Sequence, residues 1–139
     1  MEEAMSSKEL LEDIIYKYPA LIGPGLNARE RHFEFYGPLI DILLVDRYKK
    51  RFAIQVRTSP IENEHASEII TTQNAILSGE APDLSMLLVS DKIPPQVKKI
   101  LERNGIGWRE LHPFQIRGHL MKNNDIELLQ ALKGSVLMA

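Results

Sequence analysis

Pro38–Arg57 reads PLIDILLVDRYKKRFAIQVR, and this stretch decides the fold. Two apolar runs flank a short charged segment. Leu39, Ile40, Ile42, Leu43, Leu44 and Val45 make Leu39–Asp46 a near-continuous apolar run, the pattern of a strand covered on both faces. Phe52–Arg57 alternates instead, with Ile54 and Val56 on one face and Ala53, Gln55 and Arg57 on the other. Between them, Arg47, Tyr48, Lys49, Lys50 and Arg51 form a basic turn. Asp41 interrupts the first run. A carboxylate bordering a core costs on the order of several kcal/mol unless it is paired or metal-bound. If the hairpin pairs in register, Asp41 lies across from Gln55 and Arg57.

Working outward, Ser6 and Glu9 have the spacing of a helix capping box, and Leu11, Ile14, Ile15 and Tyr18 follow at helical intervals. Pro19 and the Gly23-Pro24-Gly25 cluster end that helix. Ala28–Tyr36 alternates polar and aromatic residues, as a partly exposed strand does, and Gly37-Pro38 turns the chain into the first apolar run. Downstream, a helix is expected from about Ile61 to Leu77, stopped by Ser78-Gly79. A buried strand follows at Leu84–Val89, then a helix opened by Pro94-Pro95 and closed at Asn104-Gly105. Ile106–Leu111 reads as a short edge strand and Asp125–Lys133 as a last amphipathic helix. The order predicts an α/β fold with a central four- to five-stranded mixed sheet flanked by helices.

The 139 residues suit one domain with a real core. The formal net charge of −2 gives no global basic signature, so any grip on a polyanion must be local. Arg47, Lys49, Lys50 and Arg51 are the densest candidates; the alternative is a solvated turn. The absence of cysteine excludes disulfides, thiolate metal sites and a cysteine nucleophile, and fits a cytoplasmic protein. No apolar run reaches the roughly 18 residues of a membrane span, and the acidic start is unlike a signal peptide. His32, His65, His112 and His119 show no ligand spacing, which suggests structural or surface roles.

The segments LLEDIIYKYPALI, GPLIDILLVD, FAIQVR, ASEIITTQNAIL, SMLLVS, PPQVKKILERNGI and GWREL follow one another over roughly residues 8–111. This succession resembles the restriction-endonuclease-like PD-(D/E)xK superfamily, and within it the catalytic domain of the NucS/EndoMS-type endonucleases. The resemblance implies a Mg²⁺- or Mn²⁺-dependent endonuclease acting on DNA. Its pattern is Asp, then Glu-x-Lys. Asp41 matches the first position, Gln55 stands where the second carboxylate would be, and Arg57 stands where the lysine would be. Glutamine offers one neutral oxygen to a metal. Arginine holds a phosphate by two contacts but does not deprotonate a water.

A second carboxylate from the following helix would restore the charge. Glu64 and Glu68 share a face there, unless both simply point to solvent. The first helix, through Glu9 or Glu12, would add another oxygen as it does in the superfamily. The expected metal set is therefore Asp41, Gln55, Glu68 and Glu12, with Arg57 on the scissile phosphate; Asp41, Gln55, Arg57 and Glu68 are the expected catalytic residues. The rival is a catalytically inactive nuclease-fold module for nucleic-acid binding, or for assembly with an active nuclease partner, in which Asp41 and Arg57 form an ion pair. A single nuclease-like domain over 1–139 is expected, with a helical extension from about 113 to 139. Leu128, Leu129, Leu132, Val136, Leu137 and Met138 of that extension suggest a homodimer surface. The resembled endonucleases carry an additional DNA-binding domain, for which this chain is too short, so DNA would be gripped by a dimer or by a partner.

Overall fold

The computed structural model describes residues 6–34, 39–78 and 84–138. Phe35, Tyr36, the Gly37-Pro38 turn and Gly79, all part of the sequence reading, lie outside the described residues. Helix α1 (Ser7–Lys17) begins where the sequence places its cap, with the Ser6 side chain accepting from the Glu9 N–H. A 3₁₀ turn at Pro19–Leu21 leads to strands β1 (Asn27–Glu34), β2 (Leu39–Val45) and β3 (Arg51–Val56). Helix α2 (Asn63–Ser78), strand β4 (Leu84–Ser90), helix α3 (Pro95–Arg103) and strand β5 (Gly107–Glu110) follow, then helices α4 (Pro113–Lys122) and α5 (Ile126–Lys133).

The sheet runs β1-β2-β3-β4-β5 in spatial order. Strands β1 to β3 are an antiparallel meander; β3, β4 and β5 are parallel, linked across one face by α2 and α3. Strand alternation divides the core in two. Leu43, Ala53, Met86 and Leu88 pack with Ile69 and Ile76 of α2 and Val97 and Leu101 of α3. Ile42, Leu44, Ile54, Val56 and Val89 pack with Leu11, Ile14 and Ile15 of α1, Ile116 and Leu120 of α4, and Leu132 of α5. The result is a sheet between two helical layers, with five strands at the upper end of the expected range. No helix among the described residues is long and apolar enough to cross a membrane.

Helix α3 ends as Asn104-Gly105 implies. Gly105 takes φ +71°, its N–H bonds the Glu102 carbonyl, and the Ile106 N–H reaches back to Leu101.

Helix α4 lies in the helical extension expected from about 113 to 139, although the sequence does not mark it out as a separate element. Pro113 opens it at the first helical position, but its cap is a histidine, His112, whose ring accepts from the Phe114 N–H, and Gly118 interrupts its interior, so the local signal is mixed. With α4 in place, the C-terminal apolar residues have somewhere to go. Leu132 is buried, and Leu128, Leu129, Leu137 and Met138 pack against the α1 side of the core. Of the residues expected to leave a dimer surface, only Val136 remains largely exposed. Asp125 ties this extension down. It caps α5 through the Leu128 N–H and accepts from Lys17 Nζ at 2.7 Å and Tyr18 Oη at 2.6 Å. Those bonds, Lys17 first, hold its carboxyl down at about 2.

Candidate functional site

Asp41 sits opposite His32 of β1 and just beyond the end of the β2–β3 ladder. Toward β1, Arg31 pairs with Ile42 and Phe33 with Ile40, and the intervening His32 takes φ +48°, a left-handed conformation unusual for a side-chain-bearing residue. Toward β3, the backbone ladder runs from Val45–Arg51 to Ile42–Ile54. Beyond it side chains bridge the strands. The Val56 N–H donates to Asp41 Oδ2 at 2.8 Å, and Gln55 Nε2 donates to the Leu39 carbonyl at 3.1 Å. Arg57 Nη1 donates to Asp41 Oδ2 at 3.2 Å and to the Val56 carbonyl at 2.7 Å. The pairing of Asp41 with Arg57 suggested by strand spacing is thus present. Gln55 is buried and turned to backbone.

Helix α1 supplies the second carboxylate. Glu12 lies between Leu11 and Ile15 on the helix and is only 1% exposed, while Asp41 is 4% exposed. Lys8, one turn earlier, bridges the two: its Nζ is 2.7 Å from Glu12 Oε2 and 2.9 Å from Asp41 Oδ1. The other Glu12 oxygen receives His32 Nε2 and, at 3.4 Å, Arg31 Nη2. Arg31 also pairs with Asp13 at 2.7 Å. Burial alone would push the Glu12 carboxyl up, but the hydrogen bonds from Lys8 and His32 outweigh it and hold the group below the usual carboxylate range. For Lys8, burial acts to lower the amine, and the bonds to Glu12 and Asp41 leave it raised overall. Both groups are therefore charged at neutral pH.

Glu12, His32 and Asp41 each offer a ligand atom, and those atoms lie within 4.8 Å of one another. Two carboxylates and an imidazole at this separation fit a divalent ion such as Mn²⁺ or Mg²⁺.

Glu68 lies elsewhere. It is exposed on α2, which packs on the face of the sheet opposite α1. The basic residues Arg47, Lys49 and Lys50 are exposed on a turn organised by Asp46, whose Oδ1 accepts the Tyr48 and Lys50 N–H groups, both at 2.8 Å; Arg51 is half-buried at the start of β3. That turn is at the far end of the hairpin, roughly 16 Å from Asp41 by strand rise.

Sequence reasoning misses Lys8, Arg31 and His32. The four-residue spacing of Lys8 and Glu12 is a signal, though it reads as an ordinary surface pair. For His32 no spacing rule applies, because its contact depends on its backbone conformation.

No protein-family model matches the chain. The endonuclease NucS of Methanopyrus kandleri is 20% identical over 111 residues, covering 80% of this chain and 43% of its own length. A repair endonuclease from Pyrococcus abyssi superposes with a TM-score of 0.70 at 18% identity, over 81% of this chain and 50% of its own. EndoMS solved as a complex with dsDNA gives 0.71 at 18% identity, over 81% and 48%. The chain thus spans about half the length of these proteins. With its sequence pattern and its five-stranded mixed sheet, the chain has the restriction-endonuclease-like fold in the form found in NucS and EndoMS.

Proposed function

We propose that this chain is a metal-dependent, DNA-acting nuclease domain whose cation site is built from Glu12, Asp41 and His32. The observation that carries the reading is the convergence of those three ligand atoms within 4.8 Å, from three separate elements, at the broken end of the β2–β3 ladder. Glu12 is retained from the expected metal set as the second carboxylate, and Glu68, on the other face of the sheet, is not part of the site. Gln55 keeps its amide carbonyl as a neutral donor beside the pair. A bound Mg²⁺ or Mn²⁺ would supply Lewis-acid polarisation of a phosphate oxygen and of a water. Arg57, anchored on the Val56 carbonyl, holds the scissile phosphate. Lys49 and Lys50, with Arg47 and Arg51, contact the DNA backbone further along. The relative solved with dsDNA supports DNA as the partner class.

Calorimetric titration of Mg²⁺ and Mn²⁺ into wild type and Asp41→Ala tests the site, followed by cleavage assays on duplex, mismatched and branched DNA. Metal bound by wild type and lost in the variant is the expected result. The second reading, an inactive module for nucleic-acid binding or for assembly with an active nuclease partner, draws on one specific observation: Lys8 and Arg57 already balance the charge of the carboxylate pair. Under that reading millimolar metal gives no heat, and salt-dependent DNA binding persists without cleavage.

A further inference from the structure

Lys8 occupies a position no pairing rule requires. A lysine four residues before a glutamate makes an ordinary helix-surface pair. Here its ammonium is drawn past that pair to Asp41 on β2, so that one cation touches both carboxylates of the cluster, at 2.7 and 2.9 Å. These are the contacts a metal held between Glu12 and Asp41 would make, at ammonium rather than metal distance. Glu12 and Asp41 carry two negative charges between them. Lys8 and Arg57 on Asp41, with Lys8 and Arg31 on Glu12, already meet them. A divalent ion added to that set would leave the cluster strongly positive.

The cations around the pair are not equally free to leave. Arg57 is tied to the Val56 carbonyl, and Arg31 to Asp13. The Lys8 side chain is 38% exposed, on a flexible four-carbon stem, and its only described partners are the two carboxylates. It is the member that can swing into water at small cost.

We propose that Lys8 is a tethered counter-ion of the carboxylate pair, which a divalent metal must displace in order to bind. The inference rests on the metal-site reading above. Lys8 is then a positioning residue: with no metal it keeps Glu12 and Asp41 together, and with metal bound its ammonium is released at the mouth of the site, where a phosphodiester oxygen can take it. The position left without a lysine by Arg57 would be served from α1 instead of β3.

The test is Mn²⁺ affinity, read from the loss of the free-ion electron paramagnetic resonance signal, in wild type, Lys8→Met, Lys8→Arg and Lys99→Met. Lys99 is exposed on α3, on the other side of the sheet, and controls for net charge. Lys8→Met should bind Mn²⁺ at least about tenfold more tightly than wild type, a gain of about 1.4 kcal/mol. Lys8→Arg should bind no more tightly than wild type, and Lys99→Met should match it. Equal or weaker binding in Lys8→Met would make Lys8 a structural tie and overturn the proposal, as would an equal gain in Lys99→Met. If neither wild type nor Lys8→Met binds at millimolar Mn²⁺, the metal-site reading fails and this inference with it. A measurement on wild type alone stands beside the variants. Acylation of the Lys8 amine, followed by peptide mass spectrometry, should rise when Mn²⁺ is added; unchanged labelling at saturating metal would refute displacement.

Discussion

Replacing Asp41 separates what its carboxylate does for the fold from what it offers a metal. Asp41→Ala removes the acceptor of the buried Val56 N–H, which no neighbouring strand is placed to satisfy once the β2–β3 ladder has ended. An unsatisfied buried amide costs about 1–3 kcal/mol. The variant also strips one contact each from Lys8 and Arg57, whose side chains are 38% and 26% exposed. Discounted for that exposure, each pair contributes at most about 0.5–1 kcal/mol. The loss sums to about 2–5 kcal/mol. Asp41→Asn keeps an oxygen for the Val56 N–H and gives up only the charge, so its loss should be about 1 kcal/mol. Urea unfolding, followed by circular dichroism and by the fluorescence of the single Trp108, measures both. The alanine variant should unfold at a midpoint lower by about 1–2 M, and the asparagine variant by less than half of that. The reasoning is refuted if alanine and asparagine destabilise equally, since the Val56 bond would then carry no weight. It is refuted more severely if alanine stabilises the protein, because the carboxylate would then be an uncompensated burden on the fold.

Three further outcomes follow from the packing. Leu132→Ala, at a position with no exposed surface, should cost about 2–5 kcal/mol; a loss below about 1 kcal/mol would mean that the C-terminal helices are an appendage and not part of the core. Gly105→Ala should cost about 1 kcal/mol in chemical denaturation, because its φ is +71° although an added Cβ would meet nothing within 4 Å; Gly105→Asn should recover most of that loss. Asp125 titrates at about 2 in the folded protein, below its unfolded value, so its stabilising contribution is complete above about pH 4 and is lost as the pH falls through the folded value. Asp125→Asn should therefore flatten the acid limb of the stability profile between about pH 4 and 2, and an unchanged limb would remove Asp125 from the account.

Elements set by local chemistry are legible in the sequence. The apolar run of β2, the alternation of β3 and the Ser6 cap are each written within a few residues, and each appears in the fold where the pattern places it. The end of α3 is equally local, since Gly105 alone supplies the conformation that the turn requires. Helix α4 is legible only as part of a helical extension: Pro113 marks its start, but its cap is a histidine and its middle a glycine, and what stabilises it is burial of Ile116 and Leu120 against α1 and the sheet, which only the tertiary structure reveals.

The site divides along the same line. Asp41 and Arg57 are legible because two strands and one hairpin bring them together. Glu12 is expected through the resemblance, whereas His32 and Lys8 join the group only once α1 lies across β2 and His32 adopts its left-handed conformation. Two buried carboxylates require positive charge nearby, and that requirement can be stated from the sequence; which cation meets it cannot, because any of several lysines and arginines would serve. This is why motif spacing alone makes the centre look depleted. Read along β3, Gln55 and Arg57 replace an acid and a lysine. Read across elements, an acid and a lysine stand one helical turn apart on α1, both within bonding distance of the Asp41 cluster. A pattern that assigns each role to one strand misses a centre whose charges are delivered by another element, and the geometry at Asp41, not the spacing of the motif, is the better guide to whether chemistry survives there.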